Sequence, residues 1–437
     1  MIGSSAPSVD KVVSGTLVAL FAAVAIWNAA EYPPIGGYDA AEHIAYAHEL
    51  VEDWGLPETG ASYTPPGFYL VAGAATRVGE AVGLDEPERG ALYLNAAFGI
   101  ATALLLLVTS RLLFPDRPIV RWSALAFFVS CPVVLRTVAM FHPQPLVLFL
   151  STLAITLTTW MIVRRRYDAV AWVGLALTLG AAQLVRSVSL VTVGVVLITL
   201  VVTAAVDLES RRRIRNALLV LAAAVVLVPL PWYIHLKLTT ESAIFGRASV
   251  TSSVFSDSWP AEFYVSPGLP EVITDPHRLA LPPRFLATLY ADSWGDYFGN
   301  WSWGPPRPEL TADVNRRLAV QSVVGLPLTA IALAGWLALL GMAVARRREH
   351  PARLLVVLMP LAALASVLFY ARQAPHPDGD TVKAMFLLPA VPAWALAFGF
   401  AVDVLLRRST RVGVPVLAVL SACAFVSVVY ATFASIS

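Results

Sequence analysis

Charged residues are scarce in this sequence. Asp, Glu, Lys and Arg make up 14% of the 437 residues, whereas an average soluble domain is about 25% charged. The hydrophobic share is 57% and the mean hydropathy is +0.69. This composition excludes an ordinary soluble domain and predicts a polytopic membrane protein. The small net charge of +2 gives no reason to expect a nucleic-acid partner.

Cysteine is nearly absent as well. Cys131 and Cys423 both lie inside apolar runs, so we expect packed side chains and no disulfide, metal or redox role. The sequence also lacks a glycine-rich phosphate loop, a heptad pattern and a repeat of 20–50 residues. The first apolar run has no small-residue cleavage site, which predicts a retained helix rather than a removed signal peptide.

Apolar segments long enough to cross a bilayer recur along the whole chain. A spanning helix needs about 20 mostly apolar residues. The candidates are 12–30, 91–114, 119–138, 144–163, 168–185, 188–206, 217–236, 318–345, 352–371, 382–405 and 412–434. The sequence therefore predicts an all-α fold over residues 1–437, a single polytopic transmembrane helical bundle of about 11 spans.

The apolar segment 67–84 is ambiguous because Arg77 and Glu80 lie near its middle. Cytoplasmic loops accumulate Lys and Arg, so the basic clusters can test whether it spans. They are Arg111/Arg117/Arg121, Arg164–Arg166, Arg211–Arg215, Arg346–Arg348 and Arg407–Arg411. All five lie on the side of the N-terminus if 67–84 does not span. We therefore predict a juxtamembrane or re-entrant segment, with the N-terminus inside and the C-terminus outside.

This topology places two large loops, 31–90 and 237–316, on the non-cytoplasmic face. A loop as long as the second is usually functional. It is rich in aromatic residues: Trp259, Phe263, Tyr264, Tyr290, Trp294, Tyr297, Phe298, Trp301 and Trp303. Such side chains favour the membrane–water interface. The loop can form an interfacial belt, a platform for a lipid or sugar ring, or both.

The first loop carries acidic and histidine side chains immediately after the first span. Apolar residues recur at helical spacing from Ala40 to Trp54, which predicts a short interfacial helix. Asp39 falls at its N-cap and Glu42 at N3, a pattern that fits a capping role. His43 lies one turn from Asp39, so both can face one small volume. A carboxylate at this boundary can act as a general base, and we predict catalytic roles for Asp39, Glu42 and His43.

Several cations are expected at the same outer face. Arg186 interrupts an apolar stretch, and Arg372 and Lys383 flank the turn QAPHPDGDT. Each alone fits a side chain that extends to the interface, but together they indicate a site for an anionic headgroup such as phosphate. The predicted substrate-binding residues are His142, Gln144, Arg186, Trp294, Asp296, Arg372, Asp380 and Lys383.

The chain resembles the GT-C superfamily of integral-membrane glycosyltransferases, which take sugars from polyprenyl-phosphate carriers. The resemblance covers the architecture of most of the chain. Asp39, then His43, then TPPGFY at 64–69 resemble the first loop of dolichyl-phosphate-glucose-dependent glucosyltransferases. The acidic residue with Pro-Pro-Gly is also similar to lipid A aminoarabinose transferases and protein mannosyltransferases. The resemblance implies that Asp39 is the catalytic acid/base residue and that the Pro-Pro stretch begins a juxtamembrane element.

Two positions depart from the pattern of these families. Ala40 follows Asp39 where many members have a second acidic residue, and the second external loop reads His142-Pro143-Gln144 where relatives often carry Asp or Glu. The metal-dependent oligosaccharyltransferase branch uses several acidic ligands. We therefore assign no cofactor and leave a divalent metal open.

The resemblance implies that a sugar moves from a polyprenyl-phosphate-linked donor to a hydroxyl of a lipid, glycan or protein acceptor. With Asp39 as general base, the transfer inverts the anomeric configuration. The expected location is the non-cytoplasmic face of a prokaryotic plasma membrane.

A transporter or lipid flippase of envelope glycolipids is the main alternative. Transporters commonly have two similar halves with broken helices at the midplane. Here the charges gather at one face and no internal repeat is visible, which favours an enzyme. A structural or assembly protein is the third alternative, and in such a protein Asp39 would be replaceable by Asn.

Overall fold

The computed structural model describes residues 7–52, 54–56, 61–240, 259–303, 309–345, 348–373 and 381–433. Every regular element in these ranges is helical, as predicted. The helices are α1 (Pro7–Glu31), α2 (Ala40–Glu52), α3 (Gly67–Ala81), α4 (Arg89–Leu113), α5 (Pro118–Val129), α6 (Pro132–Thr137), α7 (Gln144–Arg164), α8 (Ala169–Val185), α9 (Leu190–Val206), α10 (Arg211–Leu227), α11 (Leu230–Thr240), α12 (Ala261–Val265), α13 (Glu271–Thr274), α14 (Phe285–Trp294), α15 (Ala312–Ala345), α16 (Arg353–Gln373), α17 (Val391–Arg408) and α18 (Thr410–Ala431). Short 3-10 segments cover Ser187–Ser189 and Ala384–Ala390.

The described part of the chain contains nine helical stretches long and apolar enough to cross a membrane. They are Val9–Glu31, Arg89–Leu113, Gln144–Arg164, Ser187–Val206, Arg211–Thr239, Ala312–Ala345, Arg353–Arg372, Ala384–Arg408 and Thr410–Ala431. Two shorter apolar helices, α5 and α8, occupy the remaining predicted spans. The chain is therefore an integral membrane protein with a polytopic helical bundle, and the count of 11 crossings stays a prediction.

Helix α3 belongs to neither group. Its 15 residues extend about 22 Å, which is shorter than the roughly 30 Å hydrocarbon core of a bilayer. It packs against α2 and α4, and a Cβ added at Gly73 would lie 2.8 Å from the carbonyl oxygen of Ala47. The two helices of the first loop thus pack backbone to backbone, as a pair of short helices beside the bundle.

Ion pairs bring basic clusters from both halves of the chain to one end of the bundle. Asp10 of α1 lies 3.1 Å from Arg121 of α5. The buried carboxylate of Asp403 on α17 lies 3.2 Å from Arg117 and 2.9 Å from Arg407. The first and last clusters therefore lie at the end where α1 begins, and the side of the membrane that this end faces stays a prediction.

An ion pair also links the second basic cluster to the residues just before the third. Arg165 lies 2.5 Å from Glu209, which precedes the cluster that begins at Arg211. Arg346 and Arg347 of the fourth cluster lie outside the described residues.

Helix α17 lies at the centre of the bundle, against α5, α15, α16 and α18. Glycines allow these close crossings. A Cβ at Gly335 of α15 would lie 1.9 Å from the Ala397 carbonyl oxygen, and one at Gly399 would lie 2.3 Å from that of Val120. Small residues let helix backbones approach closely in a membrane. The segment Ala384–Ala390 leads into α17 and packs against α14, and Lys383, just before it, lies against Asp39 of the first loop.

Candidate active site

Asp39 precedes α2 directly, as predicted, but its side chain does not cap the helix. Its backbone is left-handed, with φ 53°, which is uncommon outside glycine and best tolerated by Asn and Asp. Within the described residues no amide of α2 donates to its carboxylate, and only its carbonyl accepts a hydrogen bond, from the His43 amide at 3.0 Å. The carboxylate is half-exposed and lies 3.9 Å from Lys383 Nζ. It is therefore accessible to a substrate.

Lys383 is buried, with 6% of its surface exposed. It comes just before the 3-10 segment Ala384–Ala390, at the end of α17 away from Arg407. Besides Asp39, its ammonium faces the ring of Tyr38, 5.0 Å from the centroid. A cation over an aromatic face is stabilised by the ring quadrupole. This packing places a positive charge beside the proposed base.

Asp292 links Tyr38, the residue before Asp39, to Ala384, the residue after Lys383. It lies in the last turn of α14 and is fully buried. Its Oδ1 accepts the hydroxyl of Tyr38 at 2.9 Å, and its Oδ2 accepts the amide of Ala384 at 2.7 Å. Burial raises the pKa of Asp292, and the guanidinium of Arg136 opposes this increase. Sequence reasoning missed Asp292 and Tyr38, although both adjoin residues or stretches that it singled out.

Asp296 and Arg136 form a buried structural pair. Arg136 Nη1 donates to Asp296 Oδ1 at 2.9 Å, and its Nη2 donates to the Asp292 carbonyl at 2.5 Å. The other oxygen of Asp296 accepts the amides of Trp301 at 2.9 Å and Ser302 at 2.7 Å. These contacts order the aromatic loop, and they place Asp296 behind Asp292 rather than beside Lys383.

Trp294 does not join the cluster either. Its ring lies against Gly325, where a Cβ would come within 2.4 Å, and its indole N–H donates to Thr329 at 2.8 Å. The side chain therefore faces α15. Arg372 is half-buried at the end of α16, and Asp380 lies outside the described residues.

His43 points into the protein from α2. It is 3% exposed, and its Nδ1 lies 2.8 Å from the hydroxyl of Tyr69. Burial, followed by the charges of Arg186 and Lys383, lowers the pKa of His43 to about 3, so its ring is neutral near pH 7. Its Nε2 has no hydrogen-bond partner among the described residues. Within the described part of the chain, the ring of His43 makes no hydrogen bond to the carboxylate of Asp39.

Glu42 is exposed on the first turn of α2. Its carboxylate has no ion pair or hydrogen bond within the described ranges. The structure therefore provides no contact through which Glu42 could orient Asp39.

His142 lies against His43, with ring centroids 4.9 Å apart. Its Nδ1 accepts the backbone amide of Gln144 at 3.1 Å, and burial lowers its pKa well below the ordinary value, assisted by His43 and nearby cations. A neutral ring that accepts at Nδ1 carries its proton at Nε2. This Nε2 lies 3.5 Å from Nη1 of Arg186. Both groups are hydrogen-bond donors, so neither can accept a hydrogen bond from the other. An anionic oxygen can accept a hydrogen bond from each of them.

The side-chain amide of Gln144 is buried beside this pair. Neither its nitrogen nor its oxygen has a partner among the described residues. The structure thus brings His43 to one polar region with His142, Gln144 and Arg186. The catalytic role predicted for His43 and the substrate-binding role predicted for the other three stay predictions.

An apolar cavity of about 330 Å³ begins at Arg186. The guanidinium lies over the ring of Phe386, 5.4 Å from the centroid. The lining residues are Tyr63, Thr64, Pro65, Arg186, Ser187, Val188, Leu190, Val191, Ser366, Val367, Phe369, Tyr370 and Phe386. A cavity with one cationic end and apolar walls suits an amphipathic anion.

The described side chains around Arg186 and the two histidines do not fit a divalent metal ion. Among the described residues no group of three or more His, Cys, Asp or Glu side chains is placed to hold one. The two neutral histidines lie close to Arg186 and Lys383, whose charges act on both rings. A further positive charge at that position would be repelled by these two cations.

The fold is similar to solved membrane glycosyltransferases of the GT-C superfamily. The apo oligosaccharyltransferase of Archaeoglobus fulgidus superposes with a TM-score of 0.60 at 13% identity, over 96% of this chain and 56% of that one. The archaeal enzyme AglB of the same organism, in complex with an inhibitory peptide and a dolichol-phosphate, gives 0.60 at 12% identity, with the same coverage.

ArnT from Cupriavidus metallidurans bound to undecaprenyl phosphate superposes with a TM-score of 0.51 at 16% identity, over 96% of this chain and 64% of that one. The chain thus spans less than two thirds of the length of each of these structures. At this identity the likeness shows the fold. No curated protein matches the chain by sequence.

A family model described as a predicted membrane protein, DUF2142, matches residues 52–280. The match covers more than half of the chain and includes α3, the His142 turn, Arg186 and the first part of the loop 237–316. The chain has the GT-C fold and belongs to the DUF2142 family of membrane proteins.

Proposed function

We propose that this protein is a glycosyltransferase that moves a sugar from a polyprenyl-phosphate carrier to an acceptor hydroxyl at the non-cytoplasmic membrane face. One observation carries the proposal. The accessible carboxylate of Asp39 and the cations Lys383 and Arg186 meet at one end of the bundle, where an apolar cavity begins. The fold supports it, because its solved representatives include complexes with dolichol-phosphate and undecaprenyl phosphate.

The cavity suits the isoprenoid chain of the carrier. Its volume of about 330 Å³ lies within the usual range of ligand sites, roughly 300–1,000 Å³. The walls from α9 and α16 are apolar, and each methylene group buried there contributes about 0.8 kcal/mol. In this proposal, the part of the isoprenoid chain that extends beyond the cavity remains in the lipid bilayer.

The phosphate of the carrier fits at the cationic end of the cavity. Arg186 Nη1 and His142 Nε2–H, 3.5 Å apart, can donate to its oxygens, and the buried charge of Lys383 lies near both histidines. Hydrogen bonds to charged groups are roughly twice as strong as neutral ones. The low pKa of His142 is no obstacle, since a neutral imidazole still donates its N–H.

Asp39 is the general base of the proposed reaction. The acceptor oxygen attacks the anomeric carbon and its proton passes to Asp39. The bond between that carbon and the phosphate oxygen breaks on the opposite face, and its electron pair leaves with the phosphate, so the configuration inverts. A phosphate carries this charge without protonation. One carboxylate therefore suffices, whereas glycoside hydrolases commonly use two.

The proposal is tested with purified protein in nanodiscs and a panel of synthetic undecaprenyl-phosphate sugars. We expect release of undecaprenyl phosphate from one of them, with transfer of the sugar, and loss of this release in Asp39→Asn. Proteoliposomes test the alternative function. Movement of a fluorescent undecaprenyl-phosphate sugar between leaflets, without cleavage and without dependence on Asp39, would show a flippase and overturn the proposal.

A further inference from the structure

We propose that Asp292 is a positioning residue that sets the distance between Asp39 and Lys383. The inference rests on the proposed function, because it assigns Asp292 a role in placing the base and the cation of that reaction. Asp292 is hydrogen-bonded to the chain neighbours of both residues. It acts through Tyr38 and Ala384, the residues adjacent to them in the chain.

Both oxygens of Asp292 are used for this purpose. Oδ1 accepts the Tyr38 hydroxyl at 2.9 Å and Oδ2 accepts the Ala384 amide at 2.7 Å. One rigid carboxylate thus joins the segment before α2 to the segment before α17. Two segments that are remote in the sequence are held at a spacing set by the width of a single functional group.

The position of Tyr38 makes the connection stiff on the side of the base. Its ring is buried and lies under the ammonium of Lys383, 5.0 Å from the centroid. Asp39, the next residue, is held in a left-handed conformation with φ 53°. Such a conformation persists in a non-glycine residue where the surrounding structure holds it. The hydroxyl of Tyr38 is therefore held by Asp292 and its ring by packing against Lys383. Because Tyr38 is held in this way, it restricts the backbone of the next residue, Asp39.

Arg136 anchors Asp292 to the rest of the bundle. Its Nη2 donates to the Asp292 carbonyl at 2.5 Å, and its Nη1 donates to Asp296 at 2.9 Å. A buried charged network of this kind is a costly way to gain stability, since apolar packing often does as well. Its benefit is a defined geometry. Catalysis depends on such geometry, because a misplacement of about 1 Å can lower turnover on the order of 100-fold.

Tyr38→Phe is the variant that tests the inference. It keeps the ring under Lys383 and removes only the hydroxyl that donates to Asp292. We expect kcat to fall about 10- to 100-fold and the affinity for undecaprenyl phosphate to stay unchanged. Tyr290→Phe is the matched control, because it also removes a tyrosine hydroxyl of this region, one that donates to the Ser322 carbonyl. We expect Tyr290→Phe to retain wild-type kcat at a similar melting temperature.

A double-mutant cycle separates positioning from a general loss of stability. If Asp292 and Tyr38 act through Asp39, Tyr38→Phe causes no further loss in an Asp39→Asn background. Additive losses would overturn the inference. Asp292→Asn provides the same cycle if Tyr38→Phe unfolds.

Different results would contradict the role of Asp292 and the proposed function. Wild-type kcat in Tyr38→Phe, with a large loss in Asp39→Asn, would remove Asp292 from its role and leave the proposed function standing. Near-normal turnover in Asp39→Asn would remove the proposed base itself.

Discussion

The ammonium of Lys383 lies 3.9 Å from the carboxylate of Asp39. The lysine is buried and the aspartate is half-exposed, so the buried cation faces a carboxylate that a substrate can reach. In the proposed reaction Asp39 becomes neutral as it takes a proton, while the carrier phosphate changes from a diester with one charge to a monoester with nearly two. Lys383 can then pair with the phosphate. The total charge of the site is balanced before and after transfer.

The first prediction concerns the base. Asp39→Asn should lower turnover by about 10²- to 10⁴-fold, the usual contribution of a positioned proton acceptor, with donor affinity retained. The melting temperature should barely change, because Asn also tolerates the left-handed backbone and no capping bond is lost. Glu49→Gln, an exposed carboxylate on the same helix, is the control. Near-normal turnover of Asp39→Asn on its true acceptor would contradict the mechanism.

The second prediction concerns the phosphate. Arg186→Gln and Lys383→Gln should each weaken binding of undecaprenyl phosphate by about 10- to 100-fold, since a charged hydrogen bond contributes roughly 1.5–3 kcal/mol. Undecaprenol, which lacks the phosphate, should bind the variants and the wild type equally. Arg278→Gln removes an exposed cation that packs on Trp303 and should have no effect. The same titration with Arg372→Gln decides whether that residue contributes, and unchanged affinity would remove it.

The third prediction is a pH dependence of stability. His43 has a folded-state pKa of about 3, whereas a histidine in an unfolded chain has a pKa near 6.5. Between these values the unfolded state binds a proton that the folded state does not, so stability falls as the pH is lowered. The expected slope is up to about 1.4 kcal/mol per pH unit for this residue. The melting temperature between pH 6.5 and 4.5 should therefore depend less on pH in His43→Asn, and equal slopes would refute the assignment.

The fourth prediction tests the packing of α15 on α17. In Gly335→Ala the new Cβ would lie 1.9 Å from the Ala397 carbonyl oxygen, and such overpacking costs about 1–3 kcal/mol. Gly341→Ala on the same helix meets no atom within 4 Å and should be neutral or slightly stabilising. Thermal unfolding in detergent distinguishes the two. Equal melting temperatures would mean that the helices are further apart than described.

The fifth prediction is topological. We predict that α3, whose 15 residues are fewer than the about 20 of a spanning helix, does not span, so that Asp85 lies on the same side as residues 259–303. Cysteines introduced at the exposed positions Asp85 and Arg278 should react with an impermeant maleimide from the non-cytoplasmic side of intact cells, in a background without Cys131 and Cys423. Reaction of position 85 from the cytoplasm alone would overturn the orientation and move the site to the other face.

Hydropathy and charge in the sequence were enough to establish the class of protein and most of its helices. The first predicted span, 12–30, lies within α1, and the ambiguous segment 67–84 proved to contain the short helix α3. Such features are local, because whether a stretch can cross a bilayer depends on its own length and polarity. Asp39 and His43 could be located in the same way, since they follow a span and lie one helical turn apart.

The partners of these residues depend on how the helices pack. Among the described residues, the carboxylate of Asp39 pairs with Lys383 rather than with Glu42 or His43, and it is Asp292, not Trp294 or Asp296, that connects to this pair. Apolar periodicity shows which face of a helix is buried but not which helix covers it. Contacts between the first loop, α14 and the segment before α17 follow from close crossings deep in the bundle, where glycines such as Gly335 and Gly399 set the distances. These contacts join residues hundreds of positions apart, so only the packed bundle determines them.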